Sequence, residues 1–168
     1  MKMLSYWLKD ANSLDELAYC AKHPYPLLVH NTSSYQLRPV EKIMATIDRA
    51  VLSPVRRGRV PSAIDEYEAV PVRAMGGEHT FELTVGCGPE CDVRVNDVTV
   101  SKIHALMTQD ARGFWYVQDV GSTTGTHVNE QDTDPTRPLQ SGDKIAFGMV
   151  EVTFHLPASH YALVRRLI

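Results

Sequence analysis

Apolar residues recur at helical spacing in the first part of the chain. Ser13-Leu14-Asp15-Glu16 has the pattern of a capping box, in which the Ser hydroxyl and the Glu carboxylate bind free amide groups at a helix start. Leu17 continues one apolar face, and the helical spacing returns from Val40 to Val51. The pattern predicts a helical N-terminal extension over residues 1–67, with a candidate short buried strand at Tyr25–His30.

From residue 68 onward, short apolar runs with a period of two predict strands. Gly, Asn and Asp separate these runs at intervals of about ten residues, which is typical of an all-β sandwich or barrel. The predicted strands are Val70–Ala74, Thr80–Val85, Asp92–Val95, Ile103–Gln109, Phe114–Val120, Gly125–Val128, Lys144–Phe147 and Val150–Leu156. Tyr161, Val164 and Leu167 then have the spacing of a short C-terminal helix over residues 158–168.

Composition and charge limit the function classes. Hydrophobic residues make up 43% and charged residues 22% of the 168 residues, as is usual for a soluble globular protein. The net charge of −3 does not support binding to nucleic acid or to a membrane surface, since both need a surplus of basic residues. No apolar run reaches the ~20 residues of a membrane span. Three cysteines, an odd number, indicate a reducing compartment, so we expect a cytoplasmic protein.

Four turn motifs follow one another in the predicted β region. They are VGCGPECDVRV at Val85–Val95, SKIH at Ser101–His104, DVGSTTGTHVN at Asp119–Asn129 and LQSGDKIAFG at Leu139–Gly148. Their order and spacing resemble the forkhead-associated (FHA) domain. The resemblance implies a mainly β fold, with a sandwich of two antiparallel sheets over residues 68–157 whose loops at one end bind phosphothreonine peptides. It further implies a protein-binding module, not an enzyme, and no cofactor.

Two positions of the family's phosphopeptide site are replaced. FHA domains usually have Gly-Arg in the first motif, where the Arg binds phosphate, but this chain has Gly86 and Cys87. In the third motif the family has Ser-Thr-Asn-Gly-Thr, and its Asn binds the peptide backbone. Here Thr124 stands in place of that Asn, before Gly125.

Other positions of that site match the family. Ser101 stands where the family's Ser donates a hydrogen bond to phosphate, and Lys102 where the next residue is often basic. Thr123 matches the Thr near phosphate, and His104 matches the His that braces the neighbouring loops. The resemblance therefore implies a site in which part of the phosphate contacts remains.

The replacements weaken phosphopeptide binding. An arginine fork makes two charge-assisted hydrogen bonds of roughly 1.5–3 kcal/mol each, so its loss costs about a hundredfold in affinity or more. Thr124 offers one hydroxyl where an amide both donates and accepts, and a β-branched residue resists the positive φ of an Asn-Gly turn. We therefore expect this turn to be strained or to follow another path. Residues 71–156 also carry twelve acidic and six basic side chains, which disfavours a phosphate dianion.

The favoured hypothesis is a signalling adaptor or scaffold that binds a protein partner with lost or weakened dependence on phosphothreonine. A second hypothesis is a phosphothreonine reader that uses Ser101, Lys102 and Thr123 with an arginine from elsewhere. Arg94 is the nearest such arginine in the sequence. Strand alternation places Val93 and Val95 on one face of the sheet and Arg94 on the other, so a bulge would have to turn Arg94 toward the loops.

A third hypothesis is a redox- or metal-responsive switch through Cys87. Cys91, His79 and His104 lie nearby in sequence, but nothing in the sequence shows that they converge, and structural cysteines without a metal are the simpler interpretation. The extension over residues 1–67 is either a second interaction surface or a packing annex of the same domain.

Overall fold

Alternating apolar residues form two β-sheets in this computed structural model, which describes residues 2–33, 63–74, 81–134 and 137–167. The strands are β1 (Lys2–Met3), β2 (Leu27–Asn31), β3 (Tyr67–Pro71), β4 (Glu82–Gly86), β5 (Val93–Arg94), β6 (Ala105–Gln109), β7 (Trp115–Asp119), β8 (Thr126–Val128), β9 (Gln131–Asp132), β10 (Lys144–Phe147) and β11 (Val150–His155). The helices are α1 (Leu8–Ser13), α2 (Glu16–Lys22) and α3 (Pro157–Arg166), with short 3-10 turns at Leu4–Trp7 and Ala63–Glu66.

The two sheets face each other across one apolar core. The larger has the order β1-β3-β2-β11-β10-β8-β9 and the smaller the order β5-β4-β6-β7. Neighbouring strands are antiparallel except for β4 and β5, which run parallel. Inward-facing residues of both sheets form the core, among them Val85, Met107, Ile145, Phe147 and Phe154. The predicted mainly β sandwich is therefore confirmed.

The N-terminal extension includes helices but also supplies a central strand of the larger sheet. Strand β2 is hydrogen-bonded to β3 on one side and to β11 on the other. Its residue Leu28 belongs to the sandwich core, whereas Leu27 and Val29 face the opposite side, and all three are buried. A strand buried on both faces shows no alternation, which is why the sequence pattern marks it only faintly. The predicted boundary after residue 67 falls inside β3, and the sandwich includes β2 from before it.

The first helices begin at different residues from those that the sequence predicts. Asp15, not Ser13, caps α2 by accepting a hydrogen bond from the Ala18 amide at 2.8 Å, while the hydroxyl of Ser13, the last residue of α1, donates to the Lys9 carbonyl one turn earlier. Leu17 is 84% exposed, and Tyr19 is the fully buried residue of α2. The aromatic ring reaches further into the core than a leucine would, so its position decides which face of α2 packs inward. The predicted helix at Val40–Val51 lies outside the described residues.

A second apolar core lies on the outer side of β2 and β3. There the 3-10 turn at Leu4–Trp7 and the three helices α1, α2 and α3 form what we term the helical layer. The buried residues of this core come from the helical layer, from the 3-10 turn at Ala63–Glu66 and from the outer faces of β2 and β3: Leu4, Trp7, Ala11, Tyr19, Leu27, Val29, Ile64, Ala69 and Val164. Helix α3 corresponds to the predicted C-terminal helix, with Pro157 in its first turn and Arg165 and Arg166 exposed. No helix among the described residues is long and apolar enough to cross a bilayer.

Candidate functional site

Four connecting segments meet at one end of the sandwich, and we term this region the loop end. They are residues 86–92, 101–104 and 120–125, and the hairpin tip Gly148–Met149. Main-chain hydrogen bonds join them: the Cys87 amide donates to the Ser101 carbonyl at 3.0 Å, and the Gly148 amide donates to the Gly125 carbonyl at 3.1 Å. The structure thus brings together the residues that the sequence singles out, namely Gly86, Cys87, Ser101, Lys102, His104, Thr123, Thr124 and Gly125.

Gly86 permits the close approach of the first two segments. A Cβ atom at this position would overlap the Lys102 carbonyl and lie 2.9 Å from the Ser101 carbonyl oxygen. Any side chain would therefore push the two loops apart. The Gly88 amide continues the contact by donating to the Lys102 carbonyl at 3.1 Å.

His104 connects the second segment to the third. Its Nδ1 accepts a hydrogen bond from the Ser101 amide at 2.9 Å, and its Nε2 donates to the Gly125 carbonyl at 3.0 Å. These bonds require a neutral ring with the proton on Nε2. The side chain is fully buried, and this burial lowers the pKa of His104, which favours the same neutral form. Phe147 packs edge-on against the ring at 5.8 Å between centroids.

Ser101 and Thr123 form a pair of adjacent hydroxyl groups at the surface. The Thr123 amide donates to Ser101 Oγ at 3.1 Å, and the two side-chain oxygens are 3.4 Å apart. Lys102, next to them in the chain, is exposed. Two hydroxyls and a nearby ammonium group can donate hydrogen bonds to a carboxylate or a phosphate.

The half-buried carboxylate of Asp119 holds the third segment in shape. Its carboxylate accepts hydrogen bonds from the Gly121 and Ser122 amides at 2.8 and 2.9 Å. It also accepts from the hydroxyls of Ser122 and Thr126 at 2.6 and 2.7 Å. Burial by itself raises the pKa of Asp119, but these hydrogen bonds outweigh it and hold the pKa well below its usual range. The turn that carries Thr123 and Thr124 is therefore built on a charged carboxylate.

The Cys87 side chain contacts the core of the sandwich. The residue is half-buried, and its carbonyl accepts a hydrogen bond from Arg94 Nε at 3.3 Å. Arg94 thus reaches the first segment from β5 while Val93 and Val95 stay buried beside it. Regular alternation is retained, so the expectation that a bulge is needed to bring Arg94 to the loops is wrong.

The turn at Thr124 is not strained, so strain, the first of the two outcomes expected from the sequence, does not occur. Gly125 adopts the positive φ, +82°, and Thr124 before it keeps a negative φ. The Thr124 hydroxyl donates to the Thr99 carbonyl at 2.8 Å. The hydroxyl that replaces the family's amide is therefore engaged within the protein. Thr99 and its partner Asp97 were not singled out from the sequence, although the Asp-x-Thr spacing is a common local turn signal.

Cys91 is a structural residue of the first segment. It is buried, and its thiol donates to the Lys102 carbonyl at 3.0 Å. Burial raises the pKa of this thiol, which disfavours the thiolate form that binds metals. In the part of the chain that the structure describes, no three His, Cys, Asp or Glu side chains come close enough together to hold a metal ion. His79 lies outside that part.

The family of the sandwich follows from comparison with known sequences. Residues 83–148 match the family model of the FHA domain. The chain contains an FHA domain. It is 41% identical to the oxoglutarate dehydrogenase inhibitor of Corynebacterium efficiens over 71 aligned residues. The aligned residues make up 42% of this chain and 49% of the relative. It is also 37% identical to the glycogen accumulation regulator GarA of Mycolicibacterium smegmatis over 71 aligned residues, which make up 42% of this chain and 44% of GarA.

The chain spans about half the length of these curated relatives. Among solved structures, it is similar to an FHA domain from a study of phosphothreonine-dependent FHA domain interactions. That similarity covers 53% of this chain and 84% of the other chain, with 25% sequence identity and a TM-score of 0.44.

Proposed function

We propose that this FHA domain is the binding module of a cytoplasmic signalling adaptor or scaffold, and that its loop end binds a protein partner without requiring phosphothreonine. The relatives are by name an enzyme inhibitor and a metabolic regulator, which supports a role in binding another protein. This role is non-catalytic and needs no cofactor. The observation that carries the proposal is the inward packing of Cys87 at the position of the family's phosphate-binding arginine.

The proposal rests on the contacts that the loop end can no longer offer. A thiol packed on the core supplies neither the charge nor the paired donors of a guanidinium group. The Thr124 hydroxyl donates a hydrogen bond to the Thr99 carbonyl, so its proton is not available to bind a peptide backbone. Both losses remove contacts to the phosphate and the peptide but leave the loops joined to one another.

A second candidate function, phosphothreonine reading, is favoured by two observations. The hydroxyl groups of Ser101 and Thr123 are 3.4 Å apart, so both can donate hydrogen bonds to one phosphate. Arg94 contacts the carbonyl of Cys87, so a guanidinium group lies beside the first segment although it comes from another strand. In this case Ser101, Lys102, Thr123 and Arg94 would bind the phosphate.

Calorimetry with peptide libraries matched in every respect except phosphorylation of a central threonine distinguishes the two functions. We expect affinities within about threefold of each other for the two libraries. Binding that is lost on dephosphorylation, and lost again in both S101A and R94Q, would contradict the proposal and establish the second candidate.

A gain-of-function variant tests whether the scaffold still has the family's geometry. In C87R/T124N we expect phosphothreonine affinity to rise by about a hundredfold, because the arginine fork restores two charge-assisted hydrogen bonds. C87K/T124N is the matched control, since lysine restores the charge without the fork. No rise in either variant would mean that the loops no longer frame a phosphate.

We further propose that the N-terminal extension is a packing annex of the sandwich, because Trp7 and Tyr19 are buried against β2 and α3.

The redox hypothesis for Cys87 has a simple test. Alkylation of Cys87 by iodoacetamide at the rate of an unfolded peptide thiol would support a reactive site, whereas a rate at least tenfold slower would support structural packing.

A further inference from the structure

The hairpin tip between β10 and β11 is attached to the third segment of the loop end. The Gly148 amide donates to the Gly125 carbonyl at 3.1 Å, and the Met149 amide donates to the Thr99 hydroxyl oxygen at 3.1 Å. Gly148 has a φ of +61°, and a Cβ there would lie 2.5 Å from the Thr99 carbonyl oxygen. Backbone therefore packs directly on backbone, and the tip is held from two sides.

Thr99 is itself anchored to a buried carboxylate. Asp97 is fully buried, and its Oδ1 accepts hydrogen bonds from the Thr99 amide at 2.9 Å and from the Thr99 hydroxyl at 2.7 Å. The Thr124 hydroxyl donates to the carbonyl of the same residue at 2.8 Å. A continuous set of hydrogen bonds thus runs from Asp97 through Thr99 to both Thr124 and Met149.

This arrangement presents the Met149 side chain to solvent on an ordered support. The side chain is 63% exposed, although its amide is hydrogen-bonded and its neighbour Gly148 packs against the main chain. Single exposed apolar residues are common on protein surfaces. Met149 directly adjoins the segment that carries Thr123 and Thr124, because its neighbour Gly148 packs against Thr124 and binds the Gly125 carbonyl. Methionine is also flexible and polarisable, and it is well suited to contacts with varied apolar groups.

We propose that Met149 is a partner-contacting residue that takes an apolar side chain of the bound protein, and that Thr124 is a positioning residue that holds the hairpin tip in place for this contact. The inference rests on the proposed function, because it assigns the tip to the same binding surface as the loop end. The replacement of the family's amide by Thr124 then has a structural use. The hydroxyl ties the tip to the loop end and does not bind the peptide backbone.

Selection from the two matched peptide libraries tests the contact. We expect the wild type to enrich an apolar residue at one position by about fivefold or more, and M149E to replace that preference with one for lysine or arginine. L17E is the matched control, because Leu17 is an exposed apolar residue of α2 in the helical layer, and it should select as the wild type does. An unchanged selection by M149E would overturn the inference.

The outcomes separate this inference from the proposed function. Equal binding of both libraries with unchanged selection by M149E contradicts the inference alone. Binding that needs phosphate but shows the altered selection contradicts the proposed function alone. A wild type that binds neither library contradicts both.

Hydrogen exchange tests the role of Thr124 directly. T124V keeps the shape of the side chain but removes its donor, whereas T124S keeps the donor. We expect the amides of Gly148 and Met149 to exchange about three- to tenfold faster in T124V, with loss of the apolar preference, and both properties to be retained in T124S. Equal exchange rates in the two variants would overturn the positioning role.

Discussion

The loop end and the helical layer are held together by different forces. At the loop end, buried and half-buried polar groups connect and support the segments: His104 bridges two loops, and Asp119 and Asp97, which flank the loops, each accept several hydrogen bonds. In the helical layer, large apolar side chains such as Trp7 and Tyr19 are buried against the outer side of β2. Residues of the loop end outside these polar anchors can therefore change without loss of the fold, as the replacement at Cys87 illustrates. In the helical layer, the large side chains themselves form the core, so changing them removes the packing that holds the layer in place.

The largest expected effect comes from removing the N-terminal residues altogether. A chain that starts at Glu68 lacks β2, so β3 and β11 lose their shared neighbour and both cores lose buried residues. We expect no cooperative unfolding transition by circular dichroism. A chain that starts at Pro24 retains β2 and should still unfold cooperatively, although at lower temperature. A Glu68 truncate with the melting temperature of the full chain would show that the two regions are independent.

A smaller effect is expected from a single side chain of the helical layer. Trp7 is 1% exposed, and W7A should lower the free energy of unfolding by about 3–5 kcal/mol, because it removes a large buried ring and leaves a cavity. Its neighbour Tyr6 is 60% exposed, so we expect Y6A to cost less than about 1 kcal/mol. Urea unfolding measures both. Equal costs for the two variants would mean that the layer contributes little to stability.

Acid should weaken the helical layer through His160. This side chain of α3 is fully buried beside Tyr19, whose hydroxyl lies 3.1 Å from its Nδ1, and burial lowers its pKa from 6.5 to about 4, with His23 and His155 adding to the effect. Because the unfolded chain binds the proton more readily, stability is full above pH 6.5 and falls as the pH decreases toward 4.

The expected loss is about 2–3 kcal/mol over that range. In H160Q, measured by urea unfolding at several pH values, the slope should decrease. A slope equal to that of the wild type would place the acid sensitivity elsewhere, for example in the loop end at His104.

The loop end should respond to the loss of a polar anchor by a smaller amount. D119N removes a charged acceptor of four hydrogen bonds, and we expect a cost of about 2 kcal/mol. Since the pKa of Asp119 is lowered, its contribution is present above the unfolded-state pKa near 3.8 and is lost as the pH falls below it.

D132N is the matched control for Asp119, because the side chain of Asp132 is 97% exposed, and it should change the unfolding free energy by less than about 0.5 kcal/mol. A D119N cost equal to or above that of W7A would reverse the comparison between the two regions.

Much of the sandwich could be predicted from alternation alone. The predicted Lys144–Phe147 coincides with β10, and the predicted Ile103–Gln109 and Phe114–Val120 contain β6 and β7. Each of these strands has one face in the core and one toward solvent, so period-two patterning is strong. Strand β9 was not predicted. It pairs with β8 through a turn in which both Asn129 and Glu130 have positive φ, and the pattern gave no hydrophobic signal there.

The geometry of the candidate site was less accessible to sequence reasoning. The motifs placed Ser101, Thr123 and His104 in the loops, but the negative φ of Thr124 and the contact of Arg94 with Cys87 depend on neighbouring segments. The anchoring of Met149 on Thr99 joins residues fifty positions apart. A sequence pattern describes local preference, whereas such contacts depend on how the segments pack.

Strand periodicity and turn chemistry are local properties of the chain, so the β-sandwich, the four turn motifs and the replacement of two family ligands by Cys87 and Thr124 could all be inferred without a structure. Three features became evident only in the folded protein: β2 is a central strand, the Cys87 side chain packs on the core, and the Thr124 hydroxyl donates to the Thr99 carbonyl. Each of these depends on the burial of a group against residues distant in the chain, and burial is a property of the packed fold.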